Sequence, residues 1–156
     1  MIRKFPCVAL VAAGLSVASI AAAQSSQTTY GVRAGVSADP NQFVIGGHIE
    51  SPRLGLTQRV SFRPNVELGF GSDQTTLSGN VEFVVWVPFP NSDWSAYLGG
   101  GPSANFTKVA GDSHTGGGLN ILVGFQNQQG LFAEIKTGTA FAPGLRVVAG
   151  YVLKRR

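Results

Sequence analysis

Two short clusters hold the residue types that catalysis uses. His48, Glu50 and Ser51 fall close together, and Asp112, Ser113 and His114 are consecutive. A hydrolase needs a nucleophile, a base within hydrogen-bond reach and a group that orients the base. Side chains of an extended chain alternate between faces, so His48 and Glu50 share one side while Ser51 faces the other. Asp112-Ser113-His114 lies in a polar stretch, Lys108 to Thr115, that reads as the longest loop, where such residues are solvated. The spacing supports no triad, and no enzyme is expected. The two histidines sit on distant segments and give no metal-ligand spacing. Gly99-Gly100-Gly101 and Gly116-Gly117-Gly118 open no helix, so neither is a phosphate loop. The single cysteine, Cys7, lies in a segment expected to be removed. The mature chain then has no disulfide, thiolate metal site or cysteine nucleophile, and no cofactor is expected.

The charged residues carry a different message. Arg33, His48, Glu50, Arg59, Arg63, Glu67, Glu82, Glu134, Lys136 and Arg146 all fall on one parity of an alternating chain. Four carboxylates and five permanent cations on a single face predict a mutually compensated network, because an unpaired buried charge is expensive. Glu67 and Glu82, on neighbouring strands, are expected to share Arg33, Arg63 or Arg146. Glu134 and Lys136, two apart on one face, are expected to pair as well.

The elements that must position these residues are strands. From Tyr30 onward the sequence alternates with period two and is broken by turn residues at regular intervals. Eight segments result, near 29–37, 42–51, 59–71, 75–87, 95–107, 116–126, 131–139 and 145–153. Ala38-Asp39-Pro40-Asn41, Gly71-Ser72-Asp73-Gln74, Pro88 to Asp93 and Asn127-Gln128-Gln129-Gly130 are turns by composition. The face opposite the charges runs from Tyr30, Val32, Ala34 and Val36 on the first strand to Leu145, Val147, Ala149, Tyr151 and Leu153 on the eighth. It carries no charge. Pro64 and Pro102 fall inside strands and predict bulges or bends, because proline lacks a ladder donor.

Composition agrees with an apolar surround. The chain has 156 residues, of which 13% are charged, against about 25% for a soluble domain. Hydrophobic residues reach 44%, yet beyond the leader no run approaches the roughly 20 apolar residues of a membrane helix. The formal charge is +4. Without Arg3 and Lys4 the remainder holds ten basic against eight acidic residues, with no basic stripe for nucleic acid. Residues 1–23 read as a cleavable signal peptide: Arg3 and Lys4, then an apolar stretch from Val8 to Ile20, then Ala21-Ala22-Ala23. Residues 24–156 form one domain.

Two folds share this pattern, a soluble barrel carrying a small apolar ligand and an outer-membrane barrel with lipid against its apolar face. Glycine separates them. The charged parity holds Gly31, Gly35, Gly46, Gly69, Gly71, Gly99, Gly101, Gly116, Gly118, Gly124, Gly138 and Gly150. Small residues suit the narrow interior of an eight-stranded barrel, whereas a solvated face would be dense in Lys and Glu. The expected fold is therefore all-β: an eight-stranded antiparallel up-and-down closed transmembrane barrel in the outer membrane. Tyr30, Phe89, Trp94, Phe125 and Tyr151 would gather at one rim, and Phe43, Phe70, Phe106 and Phe141 at the other, as bilayer girdles do.

Arg63-Pro64-Asn65-Val66-Glu67-Leu68-Gly69-Phe70-Gly71 and Tyr97-Leu98-Gly99-Gly100-Gly101-Pro102 resemble the third and fifth strands of the small outer-membrane barrel family of the OmpA/OmpX type. The resemblance covers residues 24–156. It implies insertion by the barrel-assembly machinery, outer-membrane lipid as the surround, and a structural or surface-interaction role without a wide pore. Surface contacts would fall on loops 38–41, 71–74, 107–115 and 139–144. A lipid-modifying outer-membrane enzyme is the third alternative. The chain departs from the family in ending Tyr151-Val152-Leu153-Lys154-Arg155-Arg156 rather than on an aromatic residue. No cell-wall tether is implied.

Overall fold

The computed structural model describes residues 28–54 and 59–153. The signal peptide expected at 1–23 and the Lys154–Arg156 end lie outside the described residues. Eight strands follow one another in order: β1 Thr29–Ala38, β2 Gln42–Glu50, β3 Val60–Phe70, β4 Gln74–Pro88, β5 Trp94–Val109, β6 Asp112–Asn127, β7 Leu131–Ala140 and β8 Leu145–Leu153. Each pairs antiparallel with its sequence neighbours, and β8 pairs with β1, which closes the barrel. Closure leaves no sheet edge along the paired length. The barrel has a terminal end, where β1 begins and β8 finishes, and a hairpin end, which carries the β1–β2, β3–β4, β5–β6 and β7–β8 turns.

Alternation becomes inside and outside. Along β3, Ser61, Arg63, Asn65, Glu67 and Gly69 are buried, while Val66, Leu68 and Phe70 are exposed. The same rhythm runs through β1, β7 and β8. One closed sheet cannot bury both faces. The core of this molecule is therefore the polar parity, and the apolar parity is its surface.

Two expectations are corrected here. Lys108 to Thr115 is no long loop. Strands β5 and β6 continue through it, with Thr107 paired to His114 and Lys108 to Ser113, and only Ala110 and Gly111 form the turn. Both have positive φ, 48° and 98°, the backbone that a two-residue hairpin turn needs to match strand twist. Asp112, Ser113 and His114 thus stand exposed on β6. The prolines also behave differently from one another. Pro64 faces Val81 in an unbroken β3–β4 ladder, so it makes no bulge there. At Pro102 the β4–β5 ladder lapses between its Asn80–Ser103 and Phe83–Gly100 pairs, then resumes in the same register.

The aromatic residues divide between the ends as expected. Phe89 and Phe125 approach to 6.3 Å at the terminal end, where Trp94, Tyr30 and Tyr151 also lie. Phe43 pairs directly with Phe70 towards the hairpin end.

Candidate functional site: the buried charge network

The interior is a chain of alternating charge. Glu50, at the terminal end of β2, accepts from Arg63 Nη2 at 2.9 Å and Nε at 3.2 Å. Arg63 reaches on through Nη1 to Glu134 at 3.1 Å. Glu134 accepts from Arg33 at 3.0 Å, and Arg33 donates equally to Glu67 at 3.1 Å. Glu67 also takes Lys136 at 3.1 Å and Arg146. Arg146 then donates to Ser78 Oγ at 2.9 Å. Carboxylates and cations alternate because each guanidinium offers several donors in a rigid fork, and each carboxylate can accept several.

Every member of this chain is almost wholly buried. Four carboxylates, Glu50, Glu67, Glu82 and Glu134, face four permanent cations, Arg33, Arg63, Lys136 and Arg146. The fifth expected cation, Arg59, is a correction. It precedes β3, is exposed and enters no described ion pair. Its parity matches Arg63, and its carbonyl accepts from Trp86 N–H at 2.7 Å, but its side chain stands exposed at the rim, one residue before β3. Its removal leaves the interior balanced in charge.

The pairing also differs from expectation at Glu82. It meets none of the three arginines. Its partner is Lys136, whose Nζ stands 2.6 Å from Glu82 Oε1 but off the hydrogen-bond direction. Charge rather than an aligned donor holds this carboxylate. Glu134 and Lys136 lie 3.8 Å apart, the weakest contact of the set. His48 accepts through Nδ1 from Arg33 Nη2 at 2.9 Å and meets the Phe132 ring edge-on at 5.4 Å. It is held inside and touches neither Ser51 nor the second histidine. Ser51 hydroxyl instead accepts from Phe62 N–H at 2.9 Å.

Three interior rings did not announce themselves by charge. Trp86 donates Nε1–H towards Glu50 at 3.1 Å and Ser61 at 2.9 Å. Tyr97 donates its hydroxyl to Glu134 at 3.0 Å and carries the Arg63 guanidinium over its ring at 4.6 Å. Phe132 lies beneath Arg33. Trp86 and Tyr97 pack with Val84 and Leu122 into an apolar layer inside the terminal half. Their signal was available: all lie on the charged parity. Room for them comes from glycine. A Cβ on Gly124 would run into the Tyr97 ring, and one on Gly150 into Phe132. Beside the charges, and short of Glu67 on the way to the hairpin end, Asn120 donates to Asn80 and Asn80 to Asn65, a neutral amide relay across the interior. A cavity of about 360 Å³ opens at that end, lined in part by Asp39, Thr76, Thr107 and Phe141.

Replacing Tyr97 with phenylalanine keeps the ring over Gly124 and removes one donor to a buried carboxylate. The expected cost is about 1.5–3 kcal/mol, at the lower end because Arg33 and Arg63 still hold Glu134. Urea titration of the refolded Tyr97→Phe variant beside the parent chain reads it.

A closed eight-stranded antiparallel barrel with a charged, filled interior and an apolar exterior is the architecture of the small OmpA/OmpX-type barrels, and this chain has that fold. Among solved structures it is similar to the N-terminal β-barrel domain of Pseudomonas aeruginosa OprF, with TM-score 0.63 and 12% identity over 83% of this chain and 98% of that one. It is similar also to Neisserial surface protein A (NspA), with TM-score 0.55 and 17% identity over 83% of this chain and 95% of that one. No protein-family model and no curated protein sequence matches it.

Proposed function

We propose that this chain is a bacterial outer-membrane β-barrel protein with a structural or surface-interaction role, exported by its leader, without enzymatic activity and with a lumen closed to ions. One observation carries the reading. The exposed face of the closed sheet is apolar on every strand, from Val32 and Val36 through Ile121 and Val123 to Val147. Soluble monomers rarely expose a contiguous apolar patch beyond a few hundred Å². In lipid the same surface is at home, and closure satisfies the backbone where no water is present. That a Neisserial surface protein has this fold is consistent with the placement.

The paired interior supports closure of the lumen. The ionic chain spans it from Glu50 to Arg146, and the Val84, Trp86, Tyr97 and Leu122 layer fills the terminal half. The same contents argue against a carrier of apolar ligands, since an apolar guest would have to displace paired charges. Fractionation of cells producing the full chain should place it with the outer membrane, extractable only by detergent. In planar bilayers it should give little steady conductance. Recovery as a detergent-free periplasmic monomer would refute the membrane placement, and a large steady current would refute the closed lumen.

A further inference from the structure

The cavity of about 360 Å³ at the hairpin end is walled by parts of several elements. The β7–β8 turn supplies one wall. It folds inward: Ala142 is buried, and a Cβ on Gly118 or Gly138 would collide with it. Ala142 N–H donates to Thr139 O at 3.2 Å, and Gly144 N–H donates to Asp39 O at 2.9 Å. The second bond ties this turn to the β1–β2 turn. Phe141 is seated on Gly116 in the same way, since a Cβ there would strike its ring. The ring lines the cavity, yet it is 72% exposed, the most of any large apolar side chain described. A preformed hollow with an open aromatic wall results.

Strands β4 and β5 supply a polar wall. Thr76 Oγ1 accepts from Gln42 Nε2 at 3.0 Å and lies 3.3 Å from Thr107 Oγ1. Both threonines line the cavity, and Asp39 is the one charged residue that does. No hydrogen bond or ion pair among the described residues engages the Asp39 carboxylate. Two positions before Asp39 and Thr107, on the inward parity, Ser37 Oγ and Asn105 Oδ1 are buried without a hydrogen-bond partner among the described residues. Asp73 and Asp112 are exposed at the same end, while Lys108 pairs with Thr75 on the outward parity. The interior cation on the rung of Ser37, Arg146, is already held by Glu67 and Ser78. A free carboxylate, oxygen acceptors and an open aromatic ring, with no cation in the lining, are the groups that hold an organic ammonium ion. An anion would be repelled, and a neutral guest would leave the carboxylate unpaired.

We propose that the hairpin-end cavity binds small aliphatic di- and polyamines, with putrescine as the working probe. One ammonium group pairs with Asp39 and donates to the Thr107 hydroxyl, and the methylene chain lies along Phe141. Asp73 and Asp112 raise the local concentration of a cation at this end. The inference gives the surface-interaction role proposed above a ligand class, and it rests on that reading.

Amide NMR on the isotope-labelled full chain in neutral detergent micelles reads the binding apart from the membrane placement. Putrescine should shift the amides of Asp39, Thr107 and Phe141 saturably, with a Kd of about 1 mM or tighter, the range open to so small a ligand. Butanediol of the same length, which lacks the charge, should not. Binding should weaken in 1 M salt, where the Debye length is about 3 Å. Asp39→Asn should weaken it about fivefold, the effect of one unit charge at about 4 Å in water. Phe141→Leu keeps an apolar wall and should cost about two- to fivefold, the scale of an exposed cation–π contact. Asp73→Asn, outside the lining, should stay within about twofold because water and salt screen it. Absence of saturable shifts with putrescine overturns the proposal, as does equal binding of butanediol or an affinity indifferent to Asp39→Asn. Should Asp39→Asn fail to fold, the diol and salt comparisons on the parent chain decide. Failure of putrescine to bind a chain that fractionates with the outer membrane sinks this inference alone. Recovery of the chain as a detergent-free monomer sinks the reading on which it rests.

Discussion

Changing Glu67 to glutamine is expected to cost about 3–5 kcal/mol of folding stability, the penalty for leaving buried charge uncompensated. Glu67 takes Arg33, Lys136 and Arg146 from three strands. Its loss leaves four cations facing three carboxylates, with Arg146 keeping Ser78 alone as a side-chain partner. The amide of glutamine preserves volume, so the loss reads charge rather than a cavity. A second substitution checks this. Arg146→Gln added to Glu67→Gln restores the balance, and the double variant should be more stable than Glu67→Gln alone. Neighbours within one network couple in this way, whereas independent sites add. Urea unfolding of the refolded barrel reports both. A Glu67→Gln variant within about 0.5 kcal/mol of the parent, the scale of an ordinary surface change, would remove the network from any structural role.

The parity of the chain was legible to the residue, because strand side chains alternate with period two and nothing in lipid or in a packed interior tolerates the wrong side. Strand number, order and closure followed from the same alternation together with the turn residues. Heights and partners were not legible. Which carboxylate meets which cation depends on how strands slide past one another around the barrel, and parity is blind to that slide. Glu82 pairs with Lys136 on a distant strand rather than with an arginine for this reason. Arg59 shows the limit of parity at a strand end: its carbonyl still accepts from Trp86 N–H at 2.7 Å, yet its side chain stands exposed just before the first residue of β3. The β5–β6 connection misled by composition, since Asp112, Ser113 and His114 are turn formers that here continue a ladder turned at Ala110 and Gly111. The aromatic residues inside were overlooked because the interior was expected to be small and polar, although Gly124 and Gly150 on facing strands made space for rings.

Arginine in place of Ile121 should separate the two environments that an apolar exterior can have. Ile121 is 62% exposed, in the middle of the described barrel, paired with Gly100 on one side and Thr137 on the other. On a barrel in water, an exposed isoleucine changed to arginine alters stability by about 0.5 kcal/mol or less. At the midplane of a bilayer the same change costs about 2–4 kcal/mol, falling to about 0–1 near the interface. Leu131, exposed at the terminal rim where β7 begins, supplies the shallow comparison. The expected result in lipid vesicles is a large loss for Ile121→Arg and a small one for Leu131→Arg. That depth dependence arises from the cost of holding a guanidinium away from water, because neither substitution alters the buried network. Equal, small effects at both positions would mean that water covers the whole outer wall. The charged interior would then belong to a soluble barrel, and the apolar exterior would need another partner to cover it.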